Sequence, residues 1–171
     1  KDGLAWLSLG TLAICMGLIA SQMNHAASAF GGIVIIDAYA CFWRLLLCFV
    51  AGLTVLLSHT YLREERLYFG EYYGFVLLSL SGMMVMVSAA DLLTIYLGTE
   101  LMSLSLYALA ALRRDSGLSS EAAIKYFVLG ALASGFLLYG MSMIYGGAGT
   151  LAIDEIAGRL VSGEVDTWVF A

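Results

Sequence analysis

The chain has 171 residues, of which 61% are hydrophobic and 12% charged, with a formal net charge of −5 and a mean hydropathy of +0.91. Soluble domains carry about 25% charged residues, so this composition excludes a soluble fold and indicates an integral membrane protein. The apolar runs are about 20 residues or longer, enough for a helix to cross about 30 Å of hydrocarbon, whereas membrane-barrel strands would be about ten residues with alternating polarity.

The expected fold class is therefore all-α: a polytopic transmembrane helix bundle with about five spans in a single membrane domain, residues 1–171. In chain order the predicted spans are Leu4 to Met23, Ala38 to Tyr61, Tyr72 to Ala90, Leu92 to Leu112 and Glu121 to Tyr145. The third and fourth are too long together for one crossing. They break at Ser88, Ala89, Ala90 and Asp91, because an aspartate at an N-cap accepts hydrogen bonds from the first free amides of the next helix. Asp37 can do the same for the second span. The three cysteines, Cys15, Cys41 and Cys48, have neither redox nor zinc spacing and read as small apolar packing residues.

No proline occurs anywhere, so the helices are expected to run without breaks. In the fifth span Gly130, Ala131, Ser134, Gly135 and Gly140 include small residues four apart, a pattern that allows close helix contact in lipid. Gly146, Gly147 and Gly149 are expected to turn the chain after it. Residues 150–162 mix Leu151, Ile153, Ile156, Leu160 and Val161 with charges, which fits either a short interfacial helix or a plain loop. Thr167 to Ala171 reads as the start of another apolar segment, so the chain is expected to be part of something longer.

Alternating crossings put Lys1, Arg63, Arg66, Arg113 and Arg114 on one side, against only Arg159 on the other, beside Asp154, Glu155, Glu164 and Asp166. The loops carrying Arg63/Arg66 and Arg113/Arg114 are therefore expected to be cytoplasmic, since basic residues set orientation and acidic ones contribute little.

Glu100 is the main lead to function. It lies about nine residues into the fourth span, roughly 12 to 14 Å along its axis at 1.5 Å per residue, too deep to snorkel easily. A carboxylate in hydrocarbon costs at least about 3 kcal/mol and marks proton or ion pathways in membrane proteins. Tyr96, Glu100, Ser103 and Tyr107 follow one another at four, three and four residues, so they share one helical face. Two readings remain: Glu100 ties two helices together, or it relays protons, and the second is preferred. Burial favours a neutral carboxyl and a nearby cation favours the carboxylate, so a carboxyl poised between them can load and release protons.

Lys125 lies four residues after Glu121 near the start of the fifth span, where it could snorkel or take a buried role. In a hairpin it sits well above Glu100, which makes a direct ion pair unexpected. Arg44 is expected to snorkel from the start of the second span, and His25 and His59 are unassigned. No nucleotide-binding loop, nucleophile and base pair, metal-ligand spacing or basic patch for nucleic acid is present; the expected environment is the lipid bilayer.

The segment from Asp91 to Leu151, in particular GTELMSLSLYAL and EAAIKYFVLGALASGF, resembles the antiporter-like membrane subunits of proton-translocating NADH:quinone oxidoreductase, respiratory complex I, and among them subunit N. The resemblance extends more weakly toward the start of the chain. It implies that the chain corresponds to the second to sixth membrane helices of such a subunit. Glu100 then matches the fifth-helix glutamate, which couples to a lysine on the seventh helix, and Lys125 matches a lysine near the start of the sixth, with the seventh helix beyond Ala171. The resemblance also implies no cofactor in this chain, with NAD, FMN, iron-sulfur clusters and quinone on other subunits. The implied partners are neighbouring antiporter-like and small membrane subunits, in a bacterial inner membrane. A subunit of a multisubunit cation/proton antiporter, or a purely structural membrane subunit, are the alternatives.

Overall fold

The computed structural model describes residues 2–64, 70–113 and 115–165. Lys1, Arg66, Arg114 and Asp166, which enter the charge asymmetry, and the apolar residues 167–171 lie outside them. The described helices are α1 (Asp2–Gln22), α2 (Ala38–Glu64), α3 (Glu71–Val87), α4 (Leu92–Ala110), α5 (Gly117–Ala148) and α6 (Ile153–Ser162). Helices α1, α2, α4 and α5 are long and apolar enough to cross a membrane. At 17 residues, α3 extends about 25 Å, at the short end of what can span. Large apolar side chains such as Trp6, Ile14, Leu57, Leu129 and Phe136 are mostly exposed, as suits a surface that meets lipid or other helices rather than water.

The two expected aspartate caps form. Asp37 Oδ1 accepts from the Ala40 amide at 2.7 Å, and Asp91 accepts from the Thr94 amide at 2.8 Å and from its hydroxyl at 2.6 Å. An N-cap aspartate contributes about 1 kcal/mol. Asp91→Ala should therefore speed amide hydrogen exchange in the first turn of α4 by about fivefold, read by mass spectrometry on peptides covering residues 92–96.

Helix α5 differs from expectation at both ends. It starts at Gly117 because Ser116 caps it, accepting from the Ser119 amide, four residues before Glu121. At the other end Gly146 and Gly147 stay helical instead of turning. Only Gly149 adopts a left-handed conformation (φ +67°), and its amide closes on the Tyr145 carbonyl at 2.7 Å. This is the usual glycine stop, and the Arg159 guanidinium of α6 donates to the Ala148 carbonyl left free there.

The segment between α1 and α2, not assigned from sequence, is a hairpin of β1 (Ala27–Ala29) and β2 (Val34–Ile36). Its turn, Phe30–Gly32, needs positive φ at three successive residues, which Gly31 and Gly32 supply without strain. The β2 edge bonds the α3–α4 connection, Ile35 N to Ser88 O at 2.8 Å and Ala90 N to Ile33 O at 2.9 Å. That connection bonds residues 151–153 in turn, Leu92 N to Leu151 O and Ile153 N to Ala90 O, both at 3.0 Å. The three links thus meet on one side of the bundle, as alternating crossings require.

Ala5, Leu12 and Ile19 of α1, Cys41, Cys48, Val55 and Leu62 of α2, and Tyr73 and Leu80 of α3 form one buried cluster. Ala51 of α2 belongs to it too; the others recur every seven positions within each helix, the spacing that keeps one seam facing a neighbour in left-handed packing. Cys41 and Cys48 are fully buried there, as expected of apolar packing residues. The tightest helix contact is elsewhere. It joins α3 and α4 at Gly82 and Gly98, where an added Cβ would stand 2.6 Å from Met102 N and 2.8 Å from Gly82 O, respectively. Of the small residues of α5, Gly130 makes a close contact of the kind expected, with Tyr107 of α4, whereas a Cβ at Gly135 or Gly140 meets nothing within 4 Å.

Candidate functional site

The polar face of α4 turns toward α5. Glu100 and Tyr96, each half-buried, lie opposite Ser134, whose hydroxyl hydrogen-bonds Glu100 Oε1 and stands 3.1 Å from Tyr96 Oη. Serines within helices commonly bond the carbonyl one turn back. Ser81, Ser88 and Ser105 do so here. Ser134 instead aims across the seam, so its hydroxyl serves the neighbouring helix.

Toward the other end of the seam, the Tyr107 ring stands edge-on to Tyr126, with centroids 4.9 Å apart, and to Phe127 at 5.6 Å. Its hydroxyl lies over Gly130, where a Cβ would come within 1.8 Å of it, so the absent side chain makes the space Tyr107 occupies. Gly130 is one helical turn from Ser134. Tyr96, Glu100 and Tyr107 therefore all face α5, whereas Ser103, on the same face, makes no side-chain hydrogen bond among the described residues.

Lys125 pairs with Glu121 on its own helix, and its side chain is 70% exposed. Nine residues separate it from Ser134, about 14 Å along α5, so Lys125 and Glu100 do not meet directly. The Tyr107 hydroxyl lies between their levels.

A second polar cluster lies where α2 meets α3. Ser58 Oγ and Tyr72 Oη are 2.6 Å apart, and His59 Nδ1 is 3.2 Å from Tyr73 Oη. A cavity of about 310 Å³ beside it is lined by Ser58, Tyr72, Arg113 and Ser119, with no carboxylate among its described lining residues. The Glu100 seam is thus the stronger candidate for proton chemistry, because it places an ionisable carboxyl in hydrogen-bond contact with the Ser134 hydroxyl, which in turn meets Tyr96.

Sequence reasoning placed Ser134 among packing residues. Its signal was a hydroxyl on an otherwise apolar helix, but which helix it faces is a property of the hairpin.

Residues 89–169 match a family model described as "NADH:quinone oxidoreductase/Mrp antiporter, TM". Together with the apolar helices of the bundle, that match likens residues 89–169 to the membrane-spanning part of antiporter-like subunits. The chain is 46% identical over 169 residues to NADH-quinone oxidoreductase subunit N of Nitrosomonas europaea, covering 96% of this chain and 34% of the relative. It is 54% identical over 152 residues to the protein of the same name from Thiobacillus denitrificans, covering 88% and 32%. Proteins named NADH-quinone oxidoreductase subunit N are thus similar to most of this chain, which spans about a third of their length.

Among solved structures, a chain of respiratory complex I from Thermus thermophilus with bound aureothin superposes with a TM-score of 0.73 at 34% identity, covering 89% of this chain and 33% of that one. A chain of the membrane-bound sulfane sulfur reductase, an archaeal respiratory membrane complex, shares the fold with a TM-score of 0.68 at 24% identity, covering 96% and 34%.

Proposed function

We propose that the chain serves in proton translocation by an NADH:quinone oxidoreductase, with Glu100 taking up and releasing a proton inside the membrane. The observation that carries this reading is the half-buried Glu100 carboxyl bonded across the α4–α5 seam by Ser134, which also meets Tyr96, in a chain similar to subunit N proteins. A charge in a medium of low dielectric responds strongly to other charges. Quinone reduction in other subunits would change the electrostatics along the membrane arm, and Glu100 would answer by changing its proton occupancy. Lys125 is assigned the far end of the same relay, with Tyr107 between its level and that of Glu100. The redox groups NAD, FMN, iron-sulfur clusters and quinone belong in this reading to other subunits, and neighbouring antiporter-like and small membrane subunits are the partners.

The location is the bacterial inner membrane, with the Arg63/Arg66 and Arg113/Arg114 loops cytoplasmic. The meeting of the three opposite links on one side supports the alternation on which that orientation rests. Single cysteines at position 115 and in the turn at position 31, probed with an impermeant maleimide in intact cells, test it: only the second should react.

The family model names Mrp antiporters as well as the oxidoreductase, which keeps a cation/proton antiporter subunit as the second reading. Purification through a tag on the full-length chain separates them, since only the first should bring down NADH-oxidising activity. Proton pumping by the complex in vesicles, with and without Glu100→Gln, tests the relay itself; unchanged pumping would leave the chain a structural subunit.

A further inference from the structure

We propose that Ser134 is a positioning residue for Glu100, forming with Tyr96 a hydroxyl chain whose hydrogen bonds reverse direction when Glu100 gains or loses its proton. The inference rests on the proton-carrying role of Glu100 and deepens it. Its ground is the geometry of three oxygens: Ser134 Oγ lies within hydrogen-bond distance of both Glu100 Oε1 and Tyr96 Oη.

A serine hydroxyl has one proton to give, so it cannot donate to both partners at once. With Glu100 as a carboxylate, which only accepts, Ser134 donates to Glu100 and Tyr96 donates to Ser134. Both hydroxyls are then committed toward the negative charge, and bonds to an ionised acceptor are the stronger kind. With Glu100 protonated, its own O–H can donate to Ser134, which turns to donate to Tyr96. Each hydroxyl keeps one proton in both arrangements, so nothing is transferred along the chain and only the direction changes.

The alternative use of Ser134, bonding the carbonyl one turn back as Ser81, Ser88 and Ser105 do, would leave Glu100 without this donor. In hydrocarbon no water replaces it freely. Fixing the carboxyl at one point on the seam also matters for transfer, because small misplacements of a reacting group cost much rate.

The test uses the full-length subunit in the assembled complex. Infrared difference spectra identify the protonated Glu100 carbonyl band as the one lost in Glu100→Gln. In Ser134→Ala that band should move to higher frequency, because a protonated carboxyl whose O–H has lost its acceptor keeps a stiffer carbonyl. It should return in Ser134→Thr, which restores the hydroxyl. Proton translocation through this chain should slow by about tenfold in Ser134→Ala, the size of one hydrogen bond to a charged group. Tyr96→Phe should shift the band less, because Ser134 still accepts from the carboxyl. Ser134→Cys, a weak donor of similar size, supplies the same measurement if the alanine variant does not assemble.

A Glu100 band unmoved in both Ser134→Ala and Ser134→Cys overturns the inference even when Glu100→Gln stops pumping. Normal pumping by Glu100→Gln instead removes the proton-carrying role, while the band position still decides whether Ser134 bonds the carboxyl.

Discussion

Glu100→Gln in the full-length subunit is expected to stop proton passage through this chain while the complex still assembles. Glutamine keeps the size of the side chain and an oxygen that can accept from Ser134, so the α4–α5 seam stays filled and hydrogen-bonded. What it loses is the ability to hold or release a proton. Groups acting in proton transfer contribute about 10² to 10⁴ in rate, so passage by this route should fall to background. The drop in total pumping per NADH oxidised then measures the share of protons that this chain carries. Glu100→Asp retains the ionisation but withdraws the carboxyl from Ser134 by one methylene, and should fall between wild type and glutamine. The measurement is the pH gradient built by proteoliposomes divided by the rate of NADH oxidation. Wild-type pumping by the glutamine variant would end the relay reading.

The second large effect is structural. Gly82→Val or Gly98→Val should force α3 and α4 apart. A Cβ at Gly82 would lie 2.6 Å from Met102 N and 2.7 Å from Gly98 O, and one at Gly98 would lie 2.8 Å from Gly82 O and 2.9 Å from Met86 N. The atoms met are backbone, which cannot swing aside as the end of a side chain can. Overpacking usually costs about 1 to 3 kcal/mol, and these positions should reach or exceed the upper figure. The assembled complex should lose thermal stability and yield, read by the fraction surviving a heat step.

Gly74→Ala on the same helix, where a Cβ meets nothing within 4 Å, is the matched control and should cost nothing measurable. Because α4 carries Glu100, a displacement of about an ångström should also separate Glu100 from Ser134 and lower pumping in whatever complex survives, since such misplacements can cost about 10² in rate. Equal stability of Gly82→Val and Gly74→Ala would contradict the close α3–α4 contact.

The spans and the starts of α2 and α4 were legible because they rest on local physics. Hydrocarbon demands long apolar runs whose backbone groups are satisfied within the helix, and Asp37 and Asp91 cap where a short acceptor precedes such a run. The common face of Tyr96, Glu100 and Tyr107 followed from helical periodicity, and it does face one neighbour. The hairpin between α1 and α2 was missed although Gly31 and Gly32 precede four β-branched residues, a strand signal masked by the expectation of helices alone. Of the small residues of α5, Gly130 admits the Tyr107 hydroxyl while Gly135 and Gly140 meet nothing within 4 Å, because a glycine shows only that a close approach is possible. The partner that uses it is chosen by the packing of the bundle, and it was Gly82 and Gly98 that met backbone to backbone.

By itself the sequence determined that this is a helical membrane protein, where α2 and α4 begin, and that Glu100 and its tyrosines share a face, because each depends on residues within a few positions of one another. Only the tertiary structure decided that this face meets α5 and that Ser134 leaves its own helix to bond Glu100. The physical reason is that a helix's rotation and register against its neighbour are set by contacts between residues distant in the chain: Gly82 with Gly98, Tyr107 over Gly130, and three links hydrogen-bonded on one side of the bundle.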